Sequence, residues 1–118
     1  MAGLGYRELV AWQRAVDLVE RVYRLTSDWP PTEIYGLTSQ VRRAAVSVPA
    51  NIAEGQGRSS RKEFAHHLSI AFGSLCEVET HLLIANRLAY IDLPTFEELI
   101  DQTTGVAKPL HGLIRSLQ

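Results

Sequence analysis

Apolar side chains recur every three to four residues through four stretches of this sequence, and turn or capping residues fill the gaps between them. The first stretch predicts a helix over about residues 6–26, ending before Asp28-Trp29-Pro30-Pro31, where two prolines remove backbone donors and favour extended geometry. The second runs over about 33–55, and Gly55-Gln56-Gly57 supplies the flexible stop expected at a helix carboxyl end. A third spans about 60–88 and opens on Ser60-x-x-Glu63, the spacing of a capping box. The fourth covers about 95–117; it follows Pro94, and Thr95 with Glu98 repeats that box. No β-type alternation of useful length interrupts the pattern. Pro49 and Pro109 fall inside the second and fourth helices, yet the apolar phase continues across both, from Val48 to Ile52 and from Val106 to Leu110. Each proline therefore predicts a local kink in a continuous helix. Short connections between helices of this length predict a single all-α domain, an antiparallel up-down-up-down four-helix bundle.

The helical faces carry more than one core. Phe64, Leu68, Ala71, Phe72, Leu75, Val78 and Leu82 make an ordinary core stripe on the third helix, and Glu79 projects close to the same angle, which predicts a partly buried carboxylate in need of partners. On the second helix Gln40, Arg43, Ser47, Asn51 and Glu54 fall within an arc of roughly 80°. With Glu79 they read as an internal polar network that sets helix register. Leu37, Val41, Ala44, Val48 and Ile52 flank this stripe on one side, and Val46, Ala50 and Ala53 on the other. On the first helix, Leu9, Trp12, Val16, Val19 and Tyr23 join Ala11, Leu18, Val22 and Leu25 in an apolar arc of about 200°. One bundle core uses about half of that. The surplus predicts a homo-oligomer with the first two helices prominent at its interface.

Composition narrows the setting. The chain has 118 residues, 46% hydrophobic and 21% charged, as one globular domain requires. No uninterrupted apolar run approaches the roughly 20 residues a bilayer demands, so no membrane span is expected. Met1-Ala2-Gly3-Leu4-Gly5 lacks the basic start and apolar centre of a secretory leader, and the lone Cys76 offers no intramolecular disulfide. Both point to the cytoplasm.

The formal charge is −1, but residues 1–62 hold nine of the twelve basic groups and six of the thirteen acids, a balance of +3 against −4 in the remainder. Arg7, Arg14 and Arg21 repeat every seven residues along one side of the first helix. Arg42, expected to be exposed, and Arg58, Arg61 and Lys62 in the glycine-rich connection before the third helix complete a set of seven candidate nucleic-acid contacts. The connection lacks the spacing of a nucleotide-binding P-loop. Glu8, Asp17 and Glu20 stand close enough for intrahelical pairing, so a mixed solvated face is the competing reading of the first-helix arginines. The Glu-x-x-His pairs of di-iron bundles do not occur. Glu77 with His81, and the line His67, Ser74, His81, read as groups on a solvent-facing or interface side; no metal, cofactor or catalytic residue is assigned.

The run from Tyr35 to Gly55, YGLTSQVRRAAVSVPANIAEG, resembles the signature of the 23S ribosomal RNA intervening-sequence protein family. Leu9-Val10-Ala11-Trp12, the stretch Ile70–Thr80 and Leu88-Ala89-Tyr90-Ile91 resemble that family as well, so the likeness covers essentially the whole chain. It implies a left-handed up-down four-helix bundle assembled as a homopentameric ring, in a family named for members encoded within ribosomal RNA gene insertions and of largely undefined function. Related bundles resemble the basic pentameric accessory proteins of diversity-generating retroelements, which are associated with nucleic acid and a reverse transcriptase. This chain departs from them in charge, since five copies would carry about −5. Gln40, Arg43, Ser47, Asn51, Glu54 and Glu79 match recurrent polar positions, which the resemblance implies are framework residues. The leading expectation is a non-enzymatic oligomeric binding or scaffold protein with RNA as candidate ligand. A protein-interaction adaptor ring without nucleic acid is the alternative, followed by a small enzyme using the carboxylates and histidines.

Overall fold

The structure, a computed structural model, describes residues 2–118, with side chains from Gly5 onward. Four helices account for most of it: α1 (Val10–Thr26), α2 (Leu37–Gln56), α3 (Arg61–Arg87) and α4 (Leu93–Ser116). Short 3₁₀ segments cover Ala2–Glu8 and Pro31–Glu33. Contacts between neighbouring helices run in opposite directions along the chain: Arg14 meets Gly105 while Arg21 meets Glu98, and Ser47 meets Ser74 while Asn51 meets His67. Each helix thus packs antiparallel on the next, and α4 returns to α1 to close the bundle.

The helix ends differ from expectation for identifiable reasons. Residues 6–8 belong to a 3₁₀ segment, and Leu9, with extended backbone (φ −74°, ψ 125°), separates it from α1. Arg7 is therefore out of helical phase with Arg14 and Arg21. The second helix does not begin at residue 33: Pro31–Glu33 form one 3₁₀ turn, and the Glu33 carboxylate reaches forward to accept from the Leu37 N–H at 3.1 Å where α2 opens. Ser60 caps α3 as its spacing suggests, accepting from the Glu63 N–H at 3.0 Å. In α4 the cap is Asp92, which accepts from the Thr95 N–H at 2.9 Å. Pro94 lies inside the first turn, where a missing donor removes no helical bond, so Thr95 is the capped residue rather than the cap.

Gly55 is not a flexible stop either. It is buried within α2, and Gly57 has an ordinary right-handed φ of −76°. The left-handed residue is Ala89, with φ 63°, which closes α3 by the paired bonds Tyr90 N–H to Ala85 O (2.9 Å) and Ala89 N–H to Asn86 O (3.0 Å).

Ala11, Ala15, Leu18 and Val22 from α1 meet Val41, Ala45, Val48 and Ile52 from α2, Leu68, Leu75 and Leu82 from α3, and Leu99, Val106 and Leu110 from α4 in one core. Both internal prolines sit in continuous helices. Pro109 has no N–H to offer the Gly105 carbonyl, and Arg14 donates to that oxygen instead, at 2.8 Å. At the far end Trp29 is buried against Tyr90, ring centroids 5.7 Å apart, and the Tyr90 hydroxyl donates to Glu33 at 2.7 Å. This clamp ties the α1–α2 connection to the α3–α4 turn.

Apolar surface remains outside the core. Val16 and Tyr23 on α1 and Val46 on α2 stay roughly two-fifths exposed, and Ala50 lies beside them on α2. Ile70, Leu83 and Ile84 do the same on α3, and Leu88, just past its end, is about half exposed. By length and composition α3 would suffice to cross a bilayer, with a mean hydropathy of 1.4 over 18 residues, contrary to the sequence expectation. Its apolar character is spread around the helix instead of forming one uninterrupted run, and its core side, Leu68, Leu75 and Leu82, is fully buried in the bundle.

Candidate functional site

The seam between α2 and α3 gathers most of the polar groups singled out by the sequence. Spacing by seven places His67, Ser74 and His81 on one line of α3. That line faces α2, not solvent: Ser74 is buried, and His67 and His81 are half-buried. Ser74 Oγ donates to Ser47 Oγ at 2.9 Å, and Asn51 Nδ2 donates to Ser47 Oγ at 3.0 Å and to the Ser47 carbonyl at 2.9 Å. Asn51 Oδ1 lies 3.1 Å from His67 Nδ1; an amide oxygen only accepts, so the histidine nitrogen donates. Glu54 turns outward to pair with Arg58 at 2.8 Å. The Arg58 hydrogen bond, helped by the charge of nearby His67, holds the Glu54 carboxyl below its ordinary range.

The network expected of six residues is smaller than the sequence suggested. Ser47 and Asn51 belong to it, with Ser74 and His67 of α3 as partners. Gln40 and Arg43 are exposed, and their side chains make no hydrogen bond or ion pair among the described residues. Glu79 does not join. It lies one heptad beyond Phe72, whose ring packs on His111 of α4 at 4.5 Å, so this half-buried residue is on the α4 flank of α3, away from α2.

Beyond Ser47 and Ser74 the seam opens into a groove of ≈ 490 Å³. Tyr35 stands at its mouth with 95% of its surface exposed, Arg43 and Gln40 form the α2 wall, and Glu77 and His81 form the α3 wall. Burial lowers the His81 imidazole below its ordinary range against the opposing pull of Glu77, and His81 Nδ1 is a buried nitrogen without a hydrogen-bond partner.

At the other end of the seam a cleft of ≈ 540 Å³ is lined by Arg58, Ser60, Lys62, Glu63, His66 and His67. Gly5 lies against the side chain of Gln56, and Arg61 donates to the Ser116 carbonyl at 2.9 Å, so the amino-terminal segment and the end of α4 share this pole. Exposed Arg7 and Arg115 therefore stand at the same end as Arg58 and Lys62.

The seven candidate cations divide sharply. Arg14 serves the Gly105 carbonyl, and Arg21 bonds Glu98 of α4 at 3.1 Å. Arg42 is half-buried rather than exposed: it lies 4.6 Å over the Tyr23 ring and donates to Thr26 Oγ1 at 2.8 Å. Arg58 is paired with Glu54, and Arg61 holds the carboxyl end of α4. Arg7, 6.0 Å over the Tyr6 ring, and Lys62 project at the surface without an ion pair among the described residues. Tyr35, Arg115 and His66 were missed by sequence reasoning; Tyr35 carried one usable signal, an aromatic residue directly before Gly36 at a helix start. No cluster of three potential metal ligands occurs among the described residues.

The family model for 23S rRNA-intervening sequence protein matches residues 7–112 of the chain. The crystal structure of a protein of unknown function from the S23 ribosomal protein family of Bacteroides thetaiotaomicron is similar, with a TM-score of 0.83 and 25% identity over 90% of this chain and 96% of that one. No curated protein matches.

Proposed function

Because the chain belongs to the 23S rRNA-intervening sequence protein family, we propose that it is a non-enzymatic cytoplasmic scaffold that assembles as a homo-oligomer and binds RNA through its basic pole. The carrying observation is the convergence of Arg7, Lys62 and Arg115, unpaired among the described residues, with the Glu54-paired Arg58 beside them, drawn from the amino-terminal segment, the α2–α3 turn and the end of α4, at one end of the bundle. Arg14, Arg21 and Arg42, by contrast, are engaged across helix seams, the first two by α4 and the third by α1. Four cations make few phosphate contacts, and a chain of net charge −1 gains little from long-range attraction. Affinity then depends on several poles engaging one RNA, as in a ring of five. The exposed Val16, Tyr23 and Val46 on α1 and α2 support assembly, since an apolar strip of this kind is most simply covered by another copy.

Native mass spectrometry of the purified protein gives the subunit number, and fluorescence anisotropy with labelled RNA across a salt series gives affinity and salt slope. The expected result is an oligomer whose RNA affinity falls steeply with salt and is reduced by Lys62→Glu with Arg115→Glu, but not by Arg42→Gln. A monomer would refute the assembly, and an oligomer that retains a specific protein and no RNA at low salt would favour the adaptor reading.

A further inference from the structure

The groove between α2 and α3 is separate from the basic pole and has no part in the hydrogen bonds that hold the helices together, apart from the Ser47–Ser74 bond at its inner end. Its chemistry is specific. Tyr35 offers an aromatic face with 95% of its surface in solvent, which no packing requirement of the bundle explains. Arg43 presents a guanidinium with no carboxylate partner among the described residues, although Glu77 lines the opposite wall. Gln40 supplies an amide that both donates and accepts, and the volume of ≈ 490 Å³ falls within the range of small-ligand sites.

We propose that this groove holds one unpaired nucleotide of an RNA strand, with the base stacked on Tyr35, the adjoining phosphate on Arg43, and the Glu77 carboxylate accepting from the ribose 2′-hydroxyl. The proposal rests on the RNA reading of the basic pole and specifies the form of RNA bound. A base inside a duplex has both faces covered by its neighbours, so it cannot stack on Tyr35; an unpaired base can. Glu77 repels phosphate but suits a hydroxyl donor, and that donor is absent from DNA. The groove and the basic cleft lie on the same seam. From Arg43 to Gln56, the last residue of α2 and two before Arg58, is about 20 Å at the helical rise, a span of roughly six stacked nucleotides at 3.4 Å each. A single strand of that length can meet both sites at once.

The test is fluorescence anisotropy of the full chain with labelled decamers: single-stranded RNA, DNA of the same sequence, and the RNA duplex. Single-stranded RNA is expected to bind at least about tenfold tighter than the duplex. Tyr35→Ala should weaken it by about five- to tenfold without changing the salt slope, and Tyr35→Phe should restore the loss, because stacking requires the ring and not the hydroxyl. Arg43→Gln should lower the slope by roughly 0.7, one single-strand phosphate contact. Glu77→Ala, which removes the acceptor, should narrow the preference for RNA over DNA. Tyr35, Arg43 and Glu77 are all exposed, and circular dichroism checks that the variants keep the fold. If Tyr35→Ala and Arg43→Gln bind as the parent does while Lys62→Glu weakens binding, the groove proposal is overturned and the RNA reading stands. Equal binding of duplex and single strand also overturns it, and a parent protein that binds none of the decamers overturns both.

Discussion

Replacing Gly55 by alanine should push α2 and α3 apart. A Cβ at residue 55 would lie 2.6 Å from His67 Cβ, 3.1 Å from Phe64 Cδ1 and 3.3 Å from the Phe64 carbonyl. His67 Cβ is fixed to its backbone and cannot swing aside, so restoring an ordinary contact of 3.4–4 Å requires a helix shift approaching 1 Å. Overpacking of this kind costs about 1–3 kcal/mol, while exchanging glycine for alanine near a helix end returns up to about 1 kcal/mol of backbone entropy. The net loss should be about 1–2 kcal/mol. Gly73 in the middle of α3 provides the internal comparison: nothing lies within 4 Å of the position a methyl group would take there, so Gly73→Ala should stabilise by about 0.5–1 kcal/mol. Urea titrations followed by circular dichroism measure both, with melting temperatures moving in opposite directions by about 4 °C per kcal/mol. If Gly55→Ala stabilises the protein as much as Gly73→Ala, the close approach of the two helices is not a constraint and the reasoning fails.

Three further outcomes follow from the same structure. Ala89→Gly should raise stability by about 0.5–1 kcal/mol in a thermal melt, since φ 63° burdens a side chain but not glycine. Asn51→Leu should destabilise by about 1–3 kcal/mol because it leaves half-buried His67 Nδ1 without its acceptor and removes one of the two donors to Ser47 Oγ, whereas Glu54→Leu should change stability by less than about 1 kcal/mol, its pair with Arg58 being half-exposed; equal effects in denaturant titrations would contradict the division drawn between them. Stability should fall in two stages on acidification. His81 has a folded pKa lowered by burial, so its contribution is complete above its unfolded value of about 6.5 and declines below it; Glu33, Glu54 and Asp92 have lowered folded values, so theirs persists until pH drops below about 4. A pH series of melts should show both stages, and His81→Leu should erase the upper one.

The four helices were legible because their apolar period depends only on local spacing, and Ser60 was legible as a cap for the same reason. Asp92 was not, because a proline such as Pro94 reads as a break in sequence, whereas its missing donor is harmless in a first helical turn. The heptad line His67, Ser74, His81 could be drawn from the sequence, but spacing alone does not reveal which neighbour a line faces. Glu79 illustrates the same limit: its angle near the core was correct, and the flank it occupies was decided by where α4 packs. The arginines were least legible of all. Carbonyl, hydroxyl and aromatic acceptors on other helices took up Arg14 and Arg42, and no charge count along the chain announces such partners.

The bond from Arg14 to the Gly105 carbonyl makes two distant positions depend on each other. Pro109→Ala would restore an amide that satisfies the Gly105 oxygen, and the bond from Arg14 would become dispensable to it. Substituting Arg14 should therefore be costly when residue 109 is proline and nearly silent when it is alanine, a non-additivity measurable in a double-mutant cycle. During divergence a proline in α4 would restrict exchange at a position on α1, and its loss would release an arginine for new use on the surface.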